Sequence, residues 1–199
     1  LLEMLPDAGE QARIARHIDD ALGATEDLIT DLLDISRLEA GKFKAKKLDF
    51  ALRDLLDNLK AEFGVLAQAG GIHFSVVESK HAVHSDVRLL RRVLQNFLTN
   101  AFRYNPGGRV LLGCRRMGEK IRIEVWDNGP GIPQDKQEAI FDEFSRLDHS
   151  RTAREQGLGL GLAIARGIAL VLGHNLTLRS WPGAGSVFAI TLNLATRPV

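Results

Sequence analysis

The first forty residues carry the hydrophobic pattern of one long helix. Residues 10–40 contain no proline and a single glycine, Gly23. Apolar or small residues recur there at alternating gaps of four and three positions, which is a heptad seam. The seam consists of Ile14, Ile18, Ala21, Thr25, Leu28, Leu32 and Ile35. We therefore predict a helix that packs along a partner helix or another chain and ends at Gly41.

From about residue 46 the pattern becomes that of a compact mixed domain. Helical periodicity returns in 49–68, 85–104 and 160–172, and the second of these helices has Ser85 or Asp86 as its cap. The predicted strands are 72–77, 109–115, 120–126, 175–180 and 186–192. The expected fold class is α+β, with helices on one face of a mixed sheet.

Two domains are therefore expected. Residues 1–45 would be part of a helical hairpin, mainly its second helix, because LPDAG reads as a turn after the apolar run LLEML. Residues 46–199 would form the mixed domain. Because the sequence starts without methionine inside an apolar run, we expect it to be a fragment of a longer protein.

Composition narrows the partners and the compartment. The 26 basic and 25 acidic residues nearly balance, so neither nucleic acid nor an anionic membrane is indicated as the main partner. The sequence contains no stretch near the roughly 18 apolar residues that a membrane span requires. Cys114 is the single cysteine, which excludes an internal disulfide and favours a reducing, cytoplasmic compartment.

The helix at 85–104 carries a row of polar side chains beside its apolar face. Asn96, Asn100, Arg103 and Tyr104 follow one another at helical spacing, and asparagine is a poor helix former with no packing reason to lie there. Taken singly, each asparagine is more typical of a solvated surface. As a row, they indicate amide oxygens and a cation directed at phosphate groups and a hard metal such as Mg²⁺.

A glycine-rich segment, DNGPGIP at 127–133, directly follows the predicted strand 120–126. Gly129 and Gly131 permit backbone conformations and close approaches that side chains forbid. Asp127, at the strand end, can accept a hydrogen bond from an exocyclic amine. A tight turn, in which aspartate and asparagine are common, explains the segment equally well by itself.

A second glycine-rich segment, GLGLGL at 157–162, opens the predicted helix 160–172. Its glycines leave backbone N–H groups free at the positive end of a helix dipole, which is an anion-binding arrangement. The segment lacks the last glycine of the dinucleotide-binding fingerprint and the lysine-serine or lysine-threonine ending of a P-loop. We therefore predict an anion site of neither type.

Five segments in this order resemble the N, G1, F, G2 and G3 boxes of the ATP-binding domain of sensor histidine kinases. They are LLRRVLQNFLTNAFRY, DNGPGIP, IFDEFSRLD, GLGLGLAIARGIALVLG and GAGSVFAITL. The preceding LITDLLDISRLEAGKF is similar to the second helix of that family's dimerisation and phosphotransfer hairpin. Together these similarities cover essentially the whole chain.

The resemblance implies a Bergerat-type ATP-binding fold, in which a helix layer covers a mixed sheet and a mobile lid covers the nucleotide. By position, Asp127 would bind the adenine amino group, while Asn96 and Asn100 would hold Mg²⁺ and the triphosphate. Asn96 and Arg103 would be the catalytic residues. The other nucleotide contacts would be Tyr104, Gly129, Gly131, Ile132, Phe144, Gly157, Leu158, Gly159, Leu160 and Gly161.

The lid is expected over about residues 134–156. Phe141 and Phe144 would anchor it, although both are equally ordinary core residues. The segment HSRTAREQG has almost no apolar residues to hold it in place, so we predict the lid to be the least ordered part without nucleotide. Its candidates for contact with the γ-phosphate are Arg146, Arg151 and Arg154, each of which is by itself more typical of a solvated charge.

The resemblance also implies a function and its partners. Related gyrase-like and chaperone-like ATPases carry a glutamate at the position of Asn96 to activate water, and an asparagine amide cannot act as that base. The expected function is transfer of the γ-phosphate of ATP to a histidine, for relay to a response regulator or a fused receiver domain. The full-length protein would be a homodimer through the hairpin, with this chain as its cytoplasmic part.

Two alternatives stay open at this point. One is a degenerate ATP-sensing or scaffold module without phosphotransfer, against which the intact boxes count. The other is an anti-sigma-type serine/threonine kinase, which shares the nucleotide fold but which the heptad hairpin disfavours.

The acceptor histidine is expected outside this chain, on the first hairpin helix. His17 precedes IDDAL, but it lacks the proline of the family's acceptor pattern and lies in the second helix. His81 and His84 have no acidic or cysteine neighbours in the sequence that would indicate a metal site.

Overall fold

The computed structural model describes residues 8–145 and 159–195. Helix α1, Ala8–Glu39, forms as the sequence predicts. Gly41 follows it with a φ of 60°, a left-handed conformation that glycine adopts without strain. The next residue, Lys42, donates its backbone N–H to the Arg37 carbonyl at 2.9 Å, which closes the helix end.

Most of the heptad seam of α1 faces solvent. Ile14, Ile18 and Leu32 are exposed, whereas Ile35 packs against the main hydrophobic core. The seam's partner helix therefore remains a prediction.

The rest of the described chain alternates strands and helices. The elements after α1 are β1 (Leu48–Ala51), α2 (Leu52–Gly70), β2 (His73–Val76), β3 (Ala82–Ser85), α3 (Val87–Arg103), β4 (Arg109–Met117), β5 (Lys120–Asp127), α4 (Gly161–Leu172), β6 (Asn175–Trp181) and β7 (Gly185–Asn193). Two short 3-10 turns, Gln134–Lys136 and Ala139–Phe141, lie between β5 and α4.

The main sheet has five strands in the order β2-β4-β5-β7-β6. The β2–β4 pair is parallel and the other pairs are antiparallel, which confirms the predicted mixed sheet. The strands β1 and β3 form a separate antiparallel pair.

The predicted helix at 49–68 is wrong at its start. Residues 48–51 form β1, in which Phe50 pairs with Val83 of β3, and the helix begins only at Leu52. Apolar residues at helix-like spacing continue from this strand into α2, so the sequence pattern did not separate the two. The strand forms because it pairs with β3, which lies more than thirty residues away in the sequence.

The cap of α3 resolves the choice between Ser85 and Asp86. The Asp86 carboxylate accepts the backbone N–H groups of Arg88 at 3.0 Å and Leu89 at 3.3 Å, and also that of Lys46 at 2.9 Å. Burial alone would raise the pKa of Asp86, but these three N–H donors outweigh it and lower the pKa. One side chain therefore caps the helix and ties down the linker after α1.

The core lies between the sheet and the helices α2, α3 and α4. Ile121, Ile123 and Val125 point from alternate positions of β5 into this layer and are fully buried. The Phe97 ring of α3 stacks on Phe188 of β7 at 5.4 Å between centroids. Helices thus cover one face of the sheet, as the sequence predicts.

Helix α1 contacts α3 and α4 near its own C-terminal end. Leu38 lies against α4 at Gly167, where any added Cβ would meet the leucine side chain. Arg92 of α3 pairs with Asp31 at 2.6 Å and with Asp34 at 3.0 Å. Among the residues described, no helix is long and apolar enough to cross a membrane.

Candidate functional site

Asp127 ends β5 at the start of the first glycine-rich segment. Its carboxylate accepts the backbone N–H of Gly129 at 2.9 Å, and two carboxylate oxygens leave capacity for further donors, including one on a ligand. Burial raises the pKa of the Asp127 carboxyl above its ordinary value, although hydrogen bonds from the backbone of Gly129 and Ser186 oppose this shift. A half-buried carboxylate of this kind is suited to recognise a donor on a ligand.

Three glycines around Asp127 occupy positions that have no room for a side chain. A Cβ on Gly129 would lie 2.9 Å from the Asp127 carboxylate and 3.2 Å from the Tyr104 carbonyl oxygen. Gly131 has a φ of 68°, and a Cβ there would collide with the Trp181 carbonyl. A Cβ on Gly185 would collide with the carbonyl of Asp127 itself. The segment 127–133 is therefore a close-packed loop that reaches the end of α3, rather than a simple hairpin turn.

Two residues that the sequence did not single out hold this loop in place. The buried Ser180 hydroxyl accepts the Ile132 N–H at 2.8 Å and also contacts the Ser186 hydroxyl at 2.9 Å. The Gln137 side-chain amide donates to the Ile132 carbonyl at 3.0 Å and to the Ser180 carbonyl at 3.1 Å. Since Ser180 lies 48 residues from Ile132, no local pattern could have indicated it.

Asn128 has a structural role next to Asp127. Its side-chain carbonyl accepts the backbone N–H of Arg109 at 2.6 Å and the amide of Asn105 at 3.0 Å. These bonds fasten the loop to the start of β4, so Asp127 is the residue of this pair whose side chain is left for a ligand.

The polar row of α3 lies between the two glycine-rich segments. Asn96 is buried, Asn100 and Arg103 are half-buried, and Tyr104 is exposed. The Asn96 side-chain amide nitrogen is buried and has no hydrogen-bond partner in the described part of the chain. A buried donor left unpaired is costly, so the Asn96 amide is a candidate for contact with a ligand.

The second glycine-rich segment meets α3 at Asn96. A Cβ on Gly161, the first residue of α4, would lie 3.2 Å from the Asn96 side-chain oxygen. Gly159 has a φ of 74°, and a Cβ there would lie 2.6 Å from the Ser145 carbonyl oxygen. Leu160 is buried and offers no capping side chain, so the first N–H groups of α4 have no cap among the described residues.

Several predicted site residues fall outside the described ranges. They are Arg146, Arg151, Arg154, Gly157 and Leu158. The structure describes the expected lid only for residues 134–145. Those site assignments therefore stay predictions.

The two phenylalanines expected to anchor the lid behave differently. Phe141 packs edge-on against Phe188 at 6.5 Å and joins the core. Phe144 is 61% exposed and has a φ of 60°, so its expected role as a second anchor is wrong. The turn after Phe141 carries Phe144 away from the core, which its spacing along the sequence did not reveal.

Comparison with known proteins agrees with this arrangement of loops and helices. The family model for histidine kinase-, DNA gyrase B- and HSP90-like ATPases matches residues 85–196, more than half of the chain. The chain belongs to this family. The matched residues include α3, both glycine-rich segments and the β6–β7 hairpin, so this ATPase domain contains every site element described above.

Relatives of the whole chain among curated proteins include sensor proteins and hybrid signal transduction histidine kinases. The chain is 34% identical over 201 residues to the sensor protein KdpD of Escherichia coli K12, covering 99% of this chain and 22% of the relative. It is 37% identical over 172 residues to KdpD of Rathayibacter rathayi, covering 85% of this chain and 19% of the relative. The chain thus spans about a fifth of the length of these relatives.

Solved structures place the fold with histidine kinases. Full-length ShkA in complex with AMPPNP has a TM-score of 0.79 at 26% identity, and the match covers 99% of this chain and 41% of ShkA. The mycobacterial sensor histidine kinase MprB has a TM-score of 0.64 at 25% identity, covering 77% of this chain and all of the matched one. The predicted resemblance and the predicted ATP-binding α/β fold are confirmed.

Proposed function

We propose that this chain binds Mg²⁺-ATP and transfers the γ-phosphate to a histidine of a dimerisation hairpin, for relay to an aspartate of a response regulator. The observation that carries the proposal is the unpaired, buried amide of Asn96, directly beside Gly161 at the uncapped start of α4. A helix start attracts an anion, and an amide donor next to it suits a phosphate oxygen. The likeness to the AMPPNP-bound ShkA supports the same ligand class.

The donor set of the site fits magnesium only together with a phosphate ligand. Asn96 and Asn100 supply neutral amide oxygens, and in the described ranges no group of three or more His, Cys, Asp or Glu side chains could hold a metal by itself. Mg²⁺ commonly keeps several waters and takes phosphate oxygens as its other ligands. Bound there, the ion would neutralise charge on the triphosphate, while the two asparagines orient it.

The residues of the site favour transfer over hydrolysis. Asn96 cannot accept a proton from water, so water held near the γ-phosphate would lack a general base. Phosphoryl transfer depends mainly on positioning and charge neutralisation, for which Asn96, Arg103 and the N–H groups of α4 are placed on neighbouring elements. The acceptor histidine, the homodimer through the hairpin and a cytoplasmic location belong to the same proposal.

Calorimetric titration with ATP in the presence of Mg²⁺ tests nucleotide binding. We expect Asn96→Ala to weaken ATP affinity by about tenfold, because its buried amide bonds a charged group. Thr99→Ala, an exposed substitution on the same helix, is the matched control and should bind ATP like the parent. Failure of the parent to bind ATP would refute the proposal.

Incubation with γ-labelled ATP tests the transfer step. We expect no label on the chain alone and acid-labile label on a separately prepared hairpin that carries a candidate acceptor histidine. Acid-stable label would instead indicate a serine/threonine kinase, and binding without any transfer would indicate an ATP-sensing module. Acid-labile label on the chain itself that disappears in His17→Ala would make His17 the acceptor.

A further inference from the structure

The five-stranded sheet has an outer face opposite to its helices. Ile121, Ile123 and Val125 of β5 point inward. Arg122 and Trp126, which alternate with them, therefore point outward, as do their partners Arg115 and Leu111 on β4. The outer face therefore comprises the strand positions that alternate with the inward ones. On β5 these are Lys120, Arg122, Glu124 and Trp126, and on β4, β7 and β6 they are the odd-numbered positions that the pairing brings to the same face. Trp181, at 48% exposure, shows that this face is open to solvent.

The outer face concentrates positive charge in a chain that is nearly neutral. Its strand positions hold five basic side chains and one acidic side chain, Glu124. The whole sequence, by contrast, has 26 basic and 25 acidic residues. The basic residues are Arg109, Arg115, Lys120, Arg122 and Arg179. Such a local excess attracts an acidic partner although the total charge does not.

The single acid of the outer face is covered by its neighbours. The Glu124 side chain is only 7% exposed, and its carboxylate contacts Arg122 at 3.0 Å and the Trp126 ring nitrogen at 2.9 Å. Arg115 and Arg179 lie 3.8 Å and 4.0 Å away. Glu124 thus orients the arginines while its own charge is hidden, so the surface presented to solvent is positive.

Both tryptophans of the chain lie on the outer face. The Arg179 guanidinium is 5.6 Å from the Trp126 ring centroid and 5.9 Å from that of Trp181. Cation–π contact with two indoles holds this charge at a fixed place. Tryptophan and arginine in such ordered clusters are the residues that most often dominate the energy of protein interfaces.

We propose that the outer face is a docking surface for an acidic segment of a partner protein. Separate apolar side chains of the segment pack on Trp181 of β6 and on Leu111 of β4, both of which are exposed, and flanking carboxylates pair with Arg115 and Arg179. The side chains of this surface point away from the helices and from α3, so the inference does not depend on the proposed ATP chemistry.

Other occupants fit the outer face less well. A second copy of the chain would bring two positive faces together. An anionic membrane is usually bound by flexible polybasic segments, whereas these arginines are held in place by Glu124.

Intrinsic tryptophan emission tests the inference, because both reporters lie on the proposed surface. A short synthetic peptide of glutamates around a central leucine pair is titrated into the chain at low and at high salt. We expect a saturable emission change that weakens as salt rises. Arg115, whose side chain is 66% exposed, is then replaced by glutamate, and we expect about fivefold weaker binding.

The matched control is Arg53→Glu, which makes the same charge change at a 65% exposed position of α2. It should leave peptide binding unchanged, and the milder Arg115→Gln should lie between Arg115→Glu and the parent. Circular dichroism of each variant separates lost binding from lost folding. No emission change with the peptide, or equal weakening by Arg53→Glu, would overturn the inference. Tighter binding of a single-stranded oligonucleotide or of phosphatidylserine vesicles would also overturn it.

Discussion

Replacing Asp127 by asparagine should separate nucleotide binding from stability, because the two effects have opposite signs. The asparagine side chain keeps an oxygen that can accept the Gly129 N–H, now held at 2.9 Å, so the loop should keep its shape. The ligand, however, loses a charged acceptor. A hydrogen bond to a charged group contributes about 1.5–3 kcal/mol, which predicts about a ten- to a hundredfold weaker affinity for ATP.

The effect on the free energy of unfolding follows from the pKa of Asp127. Burial raises this pKa in the folded state above 3.8, so the folded protein favours the protonated carboxyl. The resulting stabilisation is fully present below the unfolded-state pKa and is lost as the pH rises through the folded-state pKa. Near neutral pH, burial of the charged carboxylate therefore lowers the free energy of unfolding of the parent. We expect Asp127→Asn to unfold at a higher urea concentration than the parent.

Two assays check this pair of effects. Calorimetry measures ATP affinity at neutral pH, and urea unfolding at pH 3 and pH 7 measures stability. The stability advantage of Asp127→Asn should shrink at the lower pH. Asp135→Asn, an exposed change in the 3-10 turn that follows the glycine-rich segment, is the control and should alter neither ATP affinity nor stability. Unchanged ATP affinity in Asp127→Asn would remove Asp127 from the site, and a less stable variant at pH 7 would refute the argument from burial.

Three further changes test other parts of the structure. Gln137→Ala leaves two backbone carbonyls without their donor, so we expect a loss of about 1–3 kcal/mol in the free energy of unfolding by urea and weaker ATP binding. The exposed Gln134→Ala is the control and should show neither effect. Equal stability of Gln137→Ala and the parent would mean that the amide does not hold the loop. Asn100→Asp adds a charge where we propose that the triphosphate and its metal bind, so ATP affinity and its Mg²⁺ dependence should change together in calorimetry. If neither changes, the metal assignment is wrong. Arg92→Ala removes both ion pairs to α1. Because the three side chains are only 13–27% exposed, we expect thermal unfolding to show a loss of about 1–3 kcal/mol that high salt changes little, and unchanged stability would mean that these pairs do not hold α1 in place.

The local parts of the site could be predicted because their chemistry is local. The row of Asn96 and Asn100 needs only helical spacing, and the two glycine-rich segments need only the conformational freedom of glycine. Gly131 and Gly159 do adopt positive φ angles. The end of α1 at Gly41 follows the same logic, since a left-handed residue terminates a helix wherever it stands.

The parts that failed or were missed depend on partners far away in the sequence. Residues 48–51 become a strand only because β3 offers its edge, and Phe144 faces solvent only because the chain turns after Phe141. Ser180 and Gln137 acquire their roles through hydrogen bonds to Ile132.

The sequence by itself determined the helical row of asparagines and the two glycine-rich segments, because backbone freedom and side-chain chemistry act within short segments. The resemblance of these segments to those of sensor histidine kinases then indicated the ATP-binding fold. Only the tertiary structure decided how these segments meet. Gly161 lies beside the Asn96 side chain, and Gly131 lies against the backbone carbonyl of Trp181. The tertiary structure also decided that Arg179 lies over both tryptophans. These contacts arise from strand register and helix packing, which bring together residues that no sequence window contains.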